Sequence, residues 1–336
     1  MDKKLLEVNG LKTYFFTKSG VSKAVDGVSF SINEGETLGV VGESGCGKSV
    51  MSATIMRLLA SKSGKIVDGK VLFNSVDVSK LSKEELRKFR GSDVAMIFQD
   101  PMTTLDPVFK ISDQMIEAMQ AHTEISREDA AKECIKVLAD VGIPEPEKRF
   151  DAYPFELSGG MCQRVAIAMV ILEKPKLIIA DEPTTALDVT MQAQILKLLQ
   201  ELQNKCGTSI LIITHNLGVV WQICDNVMVM YAGKVVEKAE VKELYSNPKH
   251  PYTWGLMDSM PSLNDTPKQP LSTIDGIPPD LRLVGQGCNF RQRCKYARQC
   301  CQDVEPEMVE ISDGHFVACH FQTKAVSLDR GEKRYD

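Results

Sequence analysis

The side chains best suited to chemistry begin with one run, Gly42-Glu43-Ser44-Gly45-Cys46-Gly47-Lys48-Ser49. It fits G-x-x-x-x-G-K-[ST], a spacing that suits phosphate. Glycines let backbone N–H groups come close to an anion, a lysine reaches the β- and γ-phosphates, and a hydroxyl faces Mg²⁺. Gly42, Gly45 and Gly47 supply the freedom, Lys48 the cation and Ser49 the hydroxyl. A second pair, Asp181-Glu182, closes the apolar run Leu177-Ile178-Ile179-Ala180. Carboxylates at the C-terminal edge of such a strand stand where ligands bind in parallel α/β sheets. Asp181 is expected to hold Mg²⁺ through water, and Glu182 to polarise an attacking water. A third set is Cys288-x5-Cys294-x6-Cys301-x17-Cys319. This spacing is neither a common ferredoxin run nor a C-x2-C zinc pattern, and by itself it reads as four thiolates of a soft metal site. Cys300 is an adjacent alternative to Cys301, and His315 and His320 flank Cys319.

The flanking residues must position these groups. Glu36 to Val41 reads as a short buried strand and Ser49 to Leu59 as a helix, so the glycine run lies between strand and helix. That arrangement points the positive end of a helix at a bound anion. Residues 5–41 alternate and carry turn signals, which predicts antiparallel strands leading into the loop strand. Residues 65–75 read as a further hairpin piece with Asp68-Gly69 at its turn. Val94 to Phe98 reads as a buried strand ending at Gln99. Apolar spacing over 110–150 is helical. Leu157-Ser158-Gly159-Gly160 leads into a helix from Gln163 to Leu172. Strands are expected at 177–181 and 209–214, a helix at 189–204, and a hairpin around Ala232-Gly233. Seven prolines between Pro248 and Pro279 read as an extended linker before the cysteine segment.

The chain has 336 residues, 43% of them hydrophobic and 25% charged, with a net charge of −5. This is enough for a large core, and the negative balance argues against a nucleic-acid partner. The start, Met1-Asp2-Lys3-Lys4, does not read as a signal peptide. No apolar run reaches the roughly 18–20 residues of a membrane span. A cytosolic chain that meets the membrane through a partner is expected. In that setting, clustered cysteines favour metal binding over disulfides.

Taken in order, these elements resemble the ATP-binding subunits of ABC transporters over about residues 8–240. Leu157-Ser158-Gly159-Gly160 is similar to the signature motif of that family, Gln99 to its Q-loop glutamine, Ala186-Leu187-Asp188 to its D-loop and His215 to its switch histidine. Tyr14 or Phe15 is similar to the aromatic that stacks on adenine, and spacing from Leu11 favours Phe15. The resemblance implies an α/β P-loop ABC-type ATPase with a mixed-sheet core, an antiparallel β subdomain, a helical subdomain and a small cysteine-rich C-terminal metal-binding extension. The nucleotide-binding domain would span 1–245, with a helical insertion about 100–165. The proline-rich linker and cysteine-rich domain would span 246–336.

Glu182, His215, Lys48 and Gln99 would be catalytic. ATP would be held by Tyr14 or Phe15, by Gly42, Glu43, Ser44, Gly45, Cys46, Gly47, Lys48, Ser49 and Val50, and by Gln99 and Asp181. Ser158, Gly159, Gly160 and Asp188 would serve the ATP on a second subunit, because two such domains sandwich two ATP molecules. Mg²⁺ would be held by Ser49, Gln99 and Asp181. Two departures stand out: Met161 occupies a position where many ABC proteins have Gln, and Cys46 one where many have Ser.

A narrower resemblance reaches the dipeptide, oligopeptide and nickel importers. It rests on residues 98–107, on Lys249-His250-Pro251-Tyr252-Thr253 and on Ile274-Asp275-Gly276-Ile277-Pro278-Pro279. It implies ATP hydrolysis coupled to import of di- or oligopeptides, with nickel or cationic peptides as alternative cargo. The partners would be a second ATP-binding subunit, related or identical, two transmembrane permeases and, indirectly, an extracytoplasmic peptide-binding protein, all at the cytoplasmic face of the membrane. Similar extensions carry a [4Fe–4S] cluster, which Cys288, Cys294, Cys301 and Cys319 would hold; zinc and free or disulfide-bonded thiols are the alternatives. A non-transport ABC ATPase is the rival of another class. It would usually show a coiled-coil insertion or two fused cassettes, and neither is present.

Overall fold

The computed structural model describes residues 3–59, 63–100, 104–184, 188–260 and 273–330. Two compact units divide the chain. One comprises Met1–Leu5, Ile32–Thr37 and Phe73–Ile213; the other comprises Leu6–Ser31, Leu38–Leu72 and Thr214–Asp336.

In the first unit the strands Val94–Ile97, Leu177–Asp181 and Ser209–Thr214 run parallel. The register sets Ile97 beside Ala180 and Asp181 beside Ile213. The last two strands are buried along their whole length, which is why they read as continuous apolar runs rather than alternating ones. The helical spacing after residue 110 becomes the helices Ile111–His122, Arg127–Asp140 and Pro146–Phe150. With Gly159–Leu172 they enclose their own core, in which Met115, Met119, Cys134, Leu138, Cys162 and Val165 are buried. The helix expected from Gln163 starts earlier, at Gly159, because Ser158 caps it: Met161 N donates to Ser158 Oγ at 3.3 Å.

In the second unit the strands Lys4–Thr17, Gly20–Asn33 and Gly64–Phe73, whose greater part lies there, pair with Lys4–Thr17 in the middle. The turn expected at Asp68-Gly69 does not form; the strand continues through it. Gly69 takes φ +88° and lies so close to the neighbouring strand that a Cβ there would stand 2.5 Å from the Gly10 carbonyl oxygen. Its glycine serves a close backbone approach within one strand. The strand Thr37–Val41 runs parallel to Asn226–Tyr231, which turns back antiparallel as Lys234–Glu240. The loop helix runs Lys48–Ile55 and ends sooner than expected, where Arg57 takes φ +52°.

The C-terminal extension joins this unit by strand addition. Val309–Ser312 and His315–Val317 form a hairpin, and His315–Val317 pairs with the edge of Lys234–Glu240 through Glu237 beside Val317. Phe290 is buried against Tyr231, Tyr252 and His250. The expectation of a cysteine-rich metal-binding extension is corrected here. Among the described residues no group of three or more His, Cys, Asp or Glu side chains is arranged to hold a metal ion. Cys288, Cys294, Cys301 and Cys319 line a small cavity of about 20 Å³ together with Phe290, Tyr296 and Phe321. Burial pushes all four thiols up, Cys288 to about 11 and Cys319 to about 12. The flanking histidines are engaged elsewhere, His315 Nε2 on Glu237 at 2.8 Å and His320 Nε2 on the Val304 carbonyl at 2.9 Å. The expected [4Fe–4S] cluster and its zinc alternative are set aside together. Packing and ion pairs anchor the extension instead. Its proline-rich lead-in falls partly on residues 261–272, outside the described residues.

Candidate functional site

The glycine loop leaves the buried strand Thr37–Val41 and enters the helix Lys48–Ile55. Two of its glycines are required by contact as well as by conformation. A Cβ on Gly42 would lie 2.2 Å from the Met230 carbonyl oxygen, and one on Gly47, at φ +106°, would lie 2.0 Å from that of Ala24. Gly47 is also the N-cap of the helix, and no side chain caps it, so the first N–H groups of the helix are not taken by a cap. Lys48 is buried under the loop, and its Nζ donates to the carbonyls of Gly42 at 2.6 Å and Glu43 at 3.0 Å. Cys46 is buried beside it, 3.6 Å from that Nζ, and burial pushes its thiol up. Gly233 N donates to the Cys46 carbonyl at 2.9 Å. Ser44, Gly45 and Ser49 face solvent.

Glu43 is held from two sides. Its N–H donates to Tyr252 Oη at 2.8 Å, and its carboxylate accepts both Nη atoms of Arg293 at 2.6 and 2.9 Å. Tyr14 points its hydroxyl at Asp26 at 2.6 Å; burial and that carboxylate both push its ionisation up. Phe15 is half-buried with its ring edge over Gly64, where a Cβ would meet Cε1 at 2.9 Å. His215 is exposed just after the strand Ser209–Thr214, and the next helix is capped by Asn216, whose Oδ1 accepts from Gly218 N at 2.9 Å.

The first unit carries the remaining predicted residues. Asp181 and Glu182 are both buried at the strand end. Glu182 takes the left-handed conformation, φ +49°, which bends the chain out of the strand while its N–H donates to the Ile213 carbonyl at 2.8 Å. Its Oε2 accepts from Gln99 Nε2 at 3.3 Å, so the structure brings these two predicted residues together. Ser158, at the cap of its helix, and Gly159 are exposed, and Gly160 is half-buried. Asp188 caps the helix Val189–Cys206, its Oδ1 accepting from Met191 N at 2.9 Å. Its D-loop neighbours Ala186 and Leu187 lie outside the described residues, as do Pro101, Met102 and Thr103 after Gln99.

Sequence reasoning missed Gln163, which is 1% exposed and donates from Nε2 to the Pro183 carbonyl at 2.9 Å, fixing the residue that follows Glu182. It also missed Arg293. Neither lies in a local pattern that marks it.

A glycine loop between strand and helix in one unit, and an apolar strand ended by two carboxylates in the other, are features of a P-loop ATPase of the ABC type. Residues 25–185 match the ABC transporter family, and residues 236–301 match the family described as oligopeptide/dipeptide transporter, C-terminal region. The chain is 49% identical over 314 residues to the oligopeptide transport ATP-binding protein OppD of Bacillus subtilis, covering 94% of this chain and 88% of that one. To the dipeptide transport ATP-binding protein DppD of Bacillus subtilis it is 49% identical over 319 residues, 95% of each chain. A dimeric ATP-binding cassette in a post-hydrolysis state, bound to ADP and Pi, matches with TM-score 0.64 and 26% identity over 70% of this chain and 98% of that one. The chain belongs to the ATP-binding subunits of the peptide/oligopeptide importer family of ABC transporters. It is an ATP hydrolase and part of an importer complex with permease and binding-protein partners. Among the described residues, no helix is long and apolar enough to cross a membrane.

Proposed function

We propose that residues 42–50 bind the phosphates of ATP, that Phe15 or Tyr14 stacks on its base, and that Glu182 orients and polarises the water that attacks the γ-phosphate. Phe15 is the better candidate, because the Tyr14 hydroxyl is committed to Asp26. The observation that carries the catalytic assignment is Glu182 itself: 9% exposed, at φ +49°, and in contact with Gln99 through its carboxylate. A carboxylate held this way is oriented before substrate arrives, and positioning is most of what phosphoryl transfer asks of a protein. Lys48 would move from the loop carbonyls to the β- and γ-phosphates, and His215 would contact the γ-phosphate. The oxygen donors of Ser49, Asp181 and Gln99 suit Mg²⁺, which when bound neutralises phosphate charge. Ser158, Gly159, Gly160 and Asp188 would act on the ATP of a second ATP-binding subunit, either a related paralogue or an identical chain.

The cargo would be di- or oligopeptides, as the names of the OppD and DppD relatives suggest. The chain would work at the cytoplasmic face of the membrane beneath two transmembrane permease subunits. The test is Glu182→Gln. ATP binding should persist, hydrolysis should slow by at least about 10²-fold, and a nucleotide-closed dimer should accumulate on size-exclusion chromatography. Unchanged turnover would remove Glu182 from this role.

A further inference from the structure

We infer that Arg293, in the C-terminal extension, is a positioning residue for the phosphate loop, acting through Glu43. The inference rests on the assignment of residues 42–49 as the ATP phosphate site. The Arg293 side chain is only 4% exposed, and its two Nη atoms fork onto the Glu43 carboxylate at 2.6 and 2.9 Å. Its other donors are committed as well: Nε to the Asp275 carbonyl at 3.0 Å, Nη2 to the Ile274 carbonyl at 3.1 Å, and Nη1 to Tyr231 Oη at 3.4 Å. The guanidinium is therefore fixed by the extension before it reaches the loop. A two-point fork constrains its partner in angle as well as distance, which a lysine ammonium does not do.

Glu43 is one residue after Gly42, and the carbonyls of both receive Lys48 Nζ. Holding Glu43 by its carboxylate, and by its N–H on Tyr252 Oη at 2.8 Å, holds the two carbonyls that set where the lysine sits. The pair also has an electrostatic consequence. Glu43 places a carboxylate inside an anion-binding loop, and Arg293 is the cation that compensates it. Without Arg293 that carboxylate would oppose phosphate. The extension is thereby coupled to nucleotide affinity through one ion pair that crosses 250 residues of sequence.

The experiment measures the affinity of the full-length chain for Mg-ADP by calorimetric titration, since ADP binds without turnover. Arg293→Ala should weaken binding about tenfold and Arg293→Lys about threefold, in line with truncation of a buried charge pair and slight misplacement of a loop. In a Glu43→Gln background, Arg293→Ala should cost less than about threefold, because the carboxylate that needed compensation is gone. A purely structural role for Arg293 would not be relieved by Glu43→Gln. The inference is overturned if Arg293→Ala and Arg293→Lys both bind within twofold of the parent, or if Arg293→Ala is equally harmful with and without the Glu43 carboxylate. Should Arg293→Ala fail to fold, Arg293→Lys decides alone, with the twofold limit unchanged. A parent chain that does not bind Mg-ADP would instead defeat the ATP-site assignment.

Discussion

Glu237→Gln tests what holds the C-terminal extension in place. The Glu237 side chain is fully buried and its two oxygens serve three donors. Oε1 accepts from Lys249 N at 2.6 Å and meets His315 Nε2 at 2.8 Å; Oε2 accepts from His250 N at 2.9 Å. A glutamine has the same shape but one oxygen. If that oxygen keeps Lys249 and His315, its NH₂ faces the N–H of His250, two donors with no acceptor between them. A buried donor left unsatisfied costs about 1–3 kcal/mol. The imidazolium also loses its counter-charge, so the whole change should cost about 3–5 kcal/mol, the usual range for breaking a buried pair.

The cost should depend on pH. Burial opposes the charge on His315, but Glu237 and then Glu243 outweigh it and hold its pKa above 6.5. A group raised on folding adds stability that is fully present below its unfolded pKa and is lost as pH rises through the folded one. The charge-dependent part of the parent's advantage over Glu237→Gln should therefore be largest below about pH 6.5, shrink as pH rises above that value, and be lost once pH has passed the folded pKa. His250, the other histidine on Glu237, is pushed down to about 4 by burial and stays neutral across this window. The assay is calorimetric or fluorescence melting of both chains from pH 5.5 to 8.5. A flat difference across that range, or equal melting temperatures at pH 6, would refute the reasoning.

Three further outcomes can be checked directly. Gly47→Ala should lower affinity for Mg-ADP by more than about tenfold, because its Cβ must displace the Ala24 carbonyl from 2.0 Å and the residue sits at φ +106°; native affinity in that variant would mean the loop is freely deformable. Phe290→Ala removes a ring packed 5.1 Å from Tyr231 and 5.4 Å from Tyr252, centroid to centroid. It should cost about 3–5 kcal/mol in melting experiments, and a loss below 1 kcal/mol would show that the extension has another anchor. Brief iodoacetamide treatment at pH 7.5 should label exposed Cys206 well before Cys46, Cys134 and Cys224, which are buried with thiols pushed up; mass spectrometry finding Cys46 labelled first would contradict the packing of the loop.

What the sequence determined by itself rests on neighbours along the chain. The glycine loop is eight consecutive residues between a buried strand and a helix, and glycines at Gly42 and Gly47 announce a backbone that no other residue fits. Asp181 and Glu182 close an apolar run whose burial follows from its composition. Helical spacing after residue 110 survives as helices because the periodicity is itself the record of a buried face. The tertiary structure decided the rest. Asp68-Gly69 has a turn's composition yet lies inside a strand, since the glycine is needed for approach to Gly10, a residue of the neighbouring strand. Cysteine spacing suggested a metal centre, but ligand geometry depends on where side chains point and on how burial sets thiol ionisation. Neither is written in spacing. Gln163 on Pro183, His315 on Glu237 and Arg293 on Glu43 join residues 20, 78 and 250 positions apart. Contacts over such separations are products of packing, and no local pattern encodes them.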